Sequence, residues 1–290
     1  MIVRALSTLA ECRQVAALER QIWGYTDGED VLPPAVLVVT IMRGGVLLGA
    51  FDETSTMKGY AYAAPAMKDG RPTLWSHALG VVADARGMGA GVALKLAQRQ
   101  HALRSGIDLI EWTADPLSAT SAHLNFNRLG VLVEGYEQDL YGESGSALHG
   151  AAPTDRFMVE WHLSTPHVER RIGASTRANA ATRRPRNTAA PISVRDSAVV
   201  AAVLVNPSRG TTESLEPGDA DRDVEAARVL VEIPTNFTEL LHNHPDLARE
   251  WRKRTRDIFQ SYFGRGYRAV DFFHAREQGS GQYLLARAAS

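Results

Sequence analysis

The residues best suited to chemistry lie in one run, Arg86-Gly87-Met88-Gly89-Ala90-Gly91, between an apolar, β-branched stretch ending Val81-Val82 and an amphipathic stretch from Val92 to Leu103. Glycines let a backbone come close to a ligand. Amides at a helix start, aided by the helix dipole, attract anionic oxygen, so a strand, Gly-rich turn and helix can bind a group such as a pyrophosphate. The spacing excludes two nucleotide motifs. A dinucleotide fingerprint starting at Gly87 needs Gly or Ala at 92 and meets Val92, and one starting at Gly89 meets Leu94. No GK[ST] run precedes Lys95, so the turn is not a Walker loop.

Other candidates follow from position. Glu111 falls toward the C-terminal end of a strand expected over 107–113, where open α/β sheets bind ligands. It alternates with Ile107 and Leu109, and partial burial would raise its pKa, making it a candidate base or else a hydrogen-bonded strand carboxylate. His77 reads as a structural histidine or an alternative base. Asp115, before Pro116, can start a turn or grip an ammonium. His123 reads as packing. On a strand over 156–162, Arg156 and Glu160 share a side, and the Arg156 fork suits a carboxylate as well as a local ion pair. His242-Asn-His244 lacks the i, i+4 zinc spacing, so no metal is expected. The run from Trp251 to Arg256 reads as a solvated helix face, or more sharply as a contact to a phosphate or a partner.

These side chains need a scaffold. The 290 residues are enough for two domains, and with 44% hydrophobic and 22% charged residues the chain is neither disordered nor fibrous. Thirty-two Lys and Arg balance 33 Asp and Glu, so no global field draws the chain to nucleic acid or an anionic membrane. The single cysteine, Cys12, excludes an internal disulfide framework and fits a reducing, cytoplasmic setting. The opening residues lack a secretory pattern, and the apolar stretch Val31 to Met42, broken by Pro33 and Pro34, is too short to span a bilayer.

Thr8-x-x-Glu11 predicts a capped helix with Cys12 on its core face. Val36 to Met42 and Val46 to Phe51, around Gly44-Gly45, predict a hairpin. Strands are predicted over 58–64, 74–82, 107–113, 131–139 and 156–162, with helices over 92–103 and 118–129. Residues 164–197, rich in Ala, Thr, Pro and Arg, read as a linker or surface loop. They lack aromatic residues for stacking on bases, so the arginines do not make nucleic acid an expected partner. Beyond lie strands over 198–205, 229–233, 267–274 and 283–286, an acidic loop over 213–225, and a helix over 245–263 with Pro245 in its first turn. The expected organisation is a catalytic α/β domain at 1–163, the linker at 164–197 and a smaller α/β domain at 198–290.

Arg86-x-x-Gly89-x-Gly91 resembles the Q/R-x-x-G-x-G/A signature of the GCN5-related N-acetyltransferase (GNAT) superfamily. The strand ending Val81-Val82, the strand over 107–113 and the segment Ala122 to Gly130 resemble adjoining blocks of that fold. The segments Glu111-Trp-Thr-Ala-Asp-Pro116, Leu140-Tyr-Gly142 and Pro153 to Trp161 are similar to a branch that carries a C-terminal extension. The resemblance implies a mixed, splayed sheet flanked by helices and an acyl-CoA cosubstrate, acetyl by default or succinyl, without a metal. The cosubstrate would lie on Leu79, Val81, Val82, Arg86, Gly87, Met88, Gly89, Ala90 and Gly91, with Asn125 from the second block.

It further implies direct attack by a small amine or amino acid, with Glu111 or His77 as base and Asp115 and Arg156 on the acceptor. Family members often protonate the departing thiolate with a Tyr four residues before the Gly of the second block, where this chain has Phe126. A non-catalytic acyl-CoA-binding or regulatory protein is the alternative. No membrane partner is expected, and a homodimer is compatible with the sequence.

Overall fold

The computed structural model describes residues 1–25, 31–142, 153–181, 201–211, 214–275 and 279–287. They pack as two units that interleave the segments expected from sequence. One comprises 1–113 with 160–165, and the other 114–143, 151–159 and 166–290, within the described ranges.

In the first unit, β1 (Ile2–Ala5), β2 (Val46–Phe51), β3 (Met57–Lys68) and β4 (Arg71–Val81) run antiparallel in sequence order, and β5 (Leu109–Ala114) joins β4 in parallel. Asp69 and Gly70, both at positive φ, make the two-residue turn between β3 and β4. Tyr62 opposes Ala78 whereas Ala64 opposes Trp75, so β4 carries one extra residue and bulges. Register with β5 comprises only Leu74 with Ile110 and Trp75 with Glu111; beyond the bulge the parallel strands part.

Helix α1 (Leu9–Trp23) begins with the expected capping box, and Cys12 is fully buried. The expected hairpin is corrected: Pro34–Met42 is a helix, α2, with Pro34 in its first turn. A short run that is apolar but for Thr40 does not distinguish strand from helix by periodicity. Gly44, at φ +92°, and Gly45, whose N–H donates to Thr40 O at 2.9 Å, terminate that helix. Helix α3 (Ala90–Arg104) covers the other face of the sheet with Val92, Leu94, Lys95, Gln98 and Ala102 inward. The end of β7 (Arg156–His162) belongs here, with Trp161 edge-on to Trp112 and Leu163 N–H on Asp108 O.

The second unit holds residues 156–159 of β7, then β6 (Leu132–Glu137), β12 (Tyr267–Ala275), β13 (Ser280–Arg287), β11 (Arg228–Pro234) and the short parallel β8 (Val203–Leu204), in that order across the sheet. β9 (Arg209–Thr211) and β10 (Ser214–Glu216) form a separate ribbon, so part of the expected acidic loop is strand. Helix α4 (Ala119–Ala122) continues as a π-helical turn over His123–Leu129. The expected linker is also corrected: Pro166–Ala181 is helix α5, anchored by buried Val168 and an Arg171–Asp271 ion pair. Arg183, Arg184 and Arg186 lie outside the described residues. Helices α6 (Phe237–Asn243) and α7 (Pro245–Gly264) complete the unit, the former not anticipated. Its core is aromatic, with Phe157 edge-on to Phe259 at 4.8 Å and to Tyr283 at 5.3 Å. Among the described residues no helix is long and apolar enough to cross a membrane.

Candidate active site

β4 leads directly into the glycine turn. Val82 N–H donates to Lys58 O at 3.0 Å, a 3-10 turn spans Ala83–Ala85, and Gly87 and Gly89 take φ of +76° and +85°. Those angles strain a residue with a Cβ. A Cβ built on Gly87 meets nothing within 4 Å, so glycine is needed there for conformation and the surface above it is open. The helical ladder starts with Ala93 N–H on Gly89 O at 3.0 Å. The amides of Ala90, Gly91 and Val92 precede it and lack intrahelical acceptors. Arg86 is exposed and folds back through Nε to Val81 O at 3.2 Å. This open turn of N–H donors beside a guanidinium can hold anionic oxygen, as a pyrophosphate requires.

Leu79 and Val81 lie on the half of β4 beyond the bulge, and Val82 is buried at its end. His77 lies in the bulged segment, exposed and edge-on to Tyr62 at 5.9 Å, and partial desolvation lowers its pKa. Glu111, register partner of Trp75, sits at the last rung before the strands part. Its Oε1 lies 3.2 Å from Lys68 Nζ. The same ammonium binds Glu160, which also pairs with His162 Nε2 at 2.9 Å. His162 and then Lys68 overcome burial and hold the Glu160 pKa down to about 2. Two carboxylates, one lysine and one histidine thus gather at the end of the paired part of β4 and β5. Sequence reasoning found Glu111 but missed Lys68, Glu160 and His162 as its neighbours. The same-side spacing of Glu160 and His162 on a strand was the available signal.

The remaining candidates belong to the second unit. Asp115 accepts Leu117 N–H at 2.8 Å, starting a turn, and both carboxylate oxygens receive Arg252 at 2.7 and 2.8 Å. Arg156 lies 4.0 Å from Asp115, donates to Asp155 O at 3.0 Å and faces the Tyr141 ring. Asn125 is buried, and its carbonyl accepts Val131 N–H. His123 packs against His274 and contacts Asn127. The expected solvated face over 251–256 is corrected: Trp251, Arg252 and Thr255 are buried, and Arg256 pairs with the buried Asp155. The half-buried Asp115 and the buried Asp155 draw Arg252 and Arg256 inward. His242 contacts Thr238 O, and no group of three or more His, Cys, Asp or Glu gathers as a metal site among the described residues.

The decisive combination is a bulged β4, a parallel β5 that parts from it, and a glycine turn opening the next helix. The first unit has the mixed, splayed sheet flanked by helices that the sequence resemblance implies. No family model and no curated protein matches the chain. Solved structures similar to it include aminoglycoside 6'-acetyltransferase type Ii, at 17% identity, covering 57% of this chain and 99% of that one, with a TM-score of 0.45. A GNAT superfamily phosphinothricin acetyltransferase from Sinorhizobium meliloti, in complex with acetyl-CoA, is similar at 18% identity over 55% and 86%, TM-score 0.45. Ribosomal-protein-alanine N-acetyltransferase from Brucella melitensis is similar at 19% over 55% and 98%, TM-score 0.44.

Proposed function

We propose that the chain is a member of the GNAT superfamily and an acyl-CoA-dependent N-acyltransferase acting on a small amine or amino acid. The observation that carries the reading is the continuity from the β4 bulge, through the open glycine turn, to α3. In this reading Arg86 and the amides from Gly87 to Gly91 bind the pyrophosphate of the cosubstrate, and the unpaired edge of β4 from Leu79 to Val82 aligns the pantetheine arm. Acyl-CoA supplies the activated thioester. The chain must orient it, accept a proton from the attacking amine and stabilise the carbonyl oxygen as charge develops there. Glu111 at the parting of the strands is the first candidate for the proton, with His77 the alternative.

Phe126 favours a second reading. It is buried against Tyr283, at 5.7 Å, and has no proton to give, as suits a protein that binds acyl-CoA without turnover. A thiol-release assay over a panel of amines and amino acids, with acetyl-CoA and succinyl-CoA, separates the two. Turnover supports the transferase. Saturable CoA binding with no thiol release on any pair supports the binding protein and overturns the transferase.

A further inference from the structure

Lys95 is one of only four lysines in the chain and lies on the buried face of α3, one turn after the glycine motif. It is 2% exposed. Its Nζ donates to Ser76 Oγ at 2.7 Å and to Gln98 Oε1 at 3.2 Å, and it sits 3.7 Å from the centroid of the Trp112 ring. Ser76 lies in the β4 bulge, and Trp112 follows the last residue of β5 in register with β4. The groups that face the amine are therefore Ser76 from β4, Trp112 from β5 and Gln98 from its own helix. Among the described residues no carboxylate pairs with it. Gln98 Nε2, also buried, has no hydrogen-bond partner, so the cluster is rich in donors and poor in acceptors.

A buried lysine without a counter-ion is costly to maintain for packing alone. Its place beneath the parting strands suggests a use, and the proposed reaction lacks a proton donor for the departing sulfur. Resting on the transferase reading, we infer that Lys95, acting through the Ser76 hydroxyl, protonates the CoA thiolate as it leaves. Once the neutral amine has bonded to the acyl carbon, the C–S bond breaks and its electron pair stays on sulfur. The Ser76 hydroxyl gives its proton to that sulfur and takes one from the Lys95 ammonium. The excess proton of the new amide passes to Glu111 or water, and solvent restores Lys95. Burial alone lowers the Lys95 pKa to about 7, which suits proton transfer near neutrality. Lys95 is thus a positioning and proton-supplying residue behind Ser76.

The test uses the full chain labelled with carbon-13 at lysine Cε, which yields four signals, assigned by single Lys→Arg variants. The pH titration is followed alone, with CoA, and with desulfo-CoA, which lacks the thiol. The expected result is a Lys95 midpoint that CoA moves upward and desulfo-CoA leaves in place. In parallel, the wild-type kcat should fall as pH rises through the Lys95 midpoint. Ser76→Ala should lower kcat about tenfold or more and abolish that limb, with CoA affinity kept. Equal midpoints with CoA and desulfo-CoA, or an intact limb in Ser76→Ala, overturn the inference while leaving the transferase reading in place. Absence of CoA binding, or of thiol release in the wild type, overturns the transferase reading and the inference with it.

Discussion

Arg252 clasps Asp115 through both terminal guanidinium nitrogens, at 2.7 and 2.8 Å, with its side chain 4% exposed. Removing one partner of such a pair strands the other charge, a loss of about 3–5 kcal/mol. Arg252→Met should therefore lower the melting temperature sharply. Adding Asp115→Asn, which keeps the acceptor for Leu117 N–H, should recover part of the loss. Differential scanning calorimetry on the two variants checks this, and a double variant no more stable than the single one would refute the coupling.

The glycine turn predicts a loss of binding without a loss of fold. Gly89 caps α3 at φ +85°. Gly89→Val adds a branched side chain where backbone must approach the anion and strains the cap. Titration calorimetry should show CoA affinity reduced at least about a hundredfold on protein with a normal circular dichroism spectrum. Wild-type affinity would remove the turn from the site.

Phe126→Leu addresses the position at which the sequence resemblance implies a proton-donating tyrosine. Phe126 is 2% exposed against Tyr283, so truncation should cost on the order of 1–2 kcal/mol of stability through lost packing. Thiol release should stay near wild type, because no proton leaves this ring. A collapse of turnover at intact stability would contradict that assignment.

Acid should weaken the fold through carboxylates whose pKa is depressed. Glu160 falls from 4.5 to about 2 through His162 and Lys68; burial would raise Asp115, but Arg252 outweighs it and leaves it lowered. A depressed group stabilises the fold fully above its unfolded pKa and loses that contribution as pH falls toward the folded one. Urea midpoints should accordingly hold down to about pH 5 and decline from there toward pH 2. Glu160→Gln should flatten the slope between about 4.5 and 2, and an unchanged slope would show that the pair contributes nothing.

Much of this was legible in the residues. The capping box at Thr8, the glycine turn, the bounds of β7 and Pro245 in the first turn of α7 follow from local rules, and the structure carries each. What failed depended on distant partners. Apart from Thr40, Pro34–Met42 is apolar, so periodicity could not separate helix from strand. Arg252 and Arg256 looked like a solvated face because the carboxylates that turn them inward, Asp115 and Asp155, lie about a hundred residues or more away in sequence. Lys95 could have been found: it shares a helical stripe with Val92, Gln98 and Ala102, and a lysine on such a stripe is an anomaly that invites a functional question.

The hardest assignment to test is acceptor activation by Glu111. An amine is mostly protonated at neutral pH and must lose a proton before it attacks, and Glu111 stands at the last register pair between β4 and β5. It also has a structural partner in Lys68 at 3.2 Å, so the carboxylate could serve the sheet instead. Glu111→Gln separates the two because it keeps size and an acceptor for Lys68 while removing the base. With the base role, turnover falls about a hundredfold or more at unchanged CoA affinity, and part of it returns at high pH as free amine accumulates. With the structural role, the melting temperature drops and the folded fraction works normally. Lys68→Met provides the control, since it breaks the ion pair but leaves the carboxylate: base chemistry should survive it in large part, whereas a structural role predicts that both variants lose stability alike. A stable and fully active Glu111→Gln protein would remove Glu111 from the chemistry and transfer the assignment to His77.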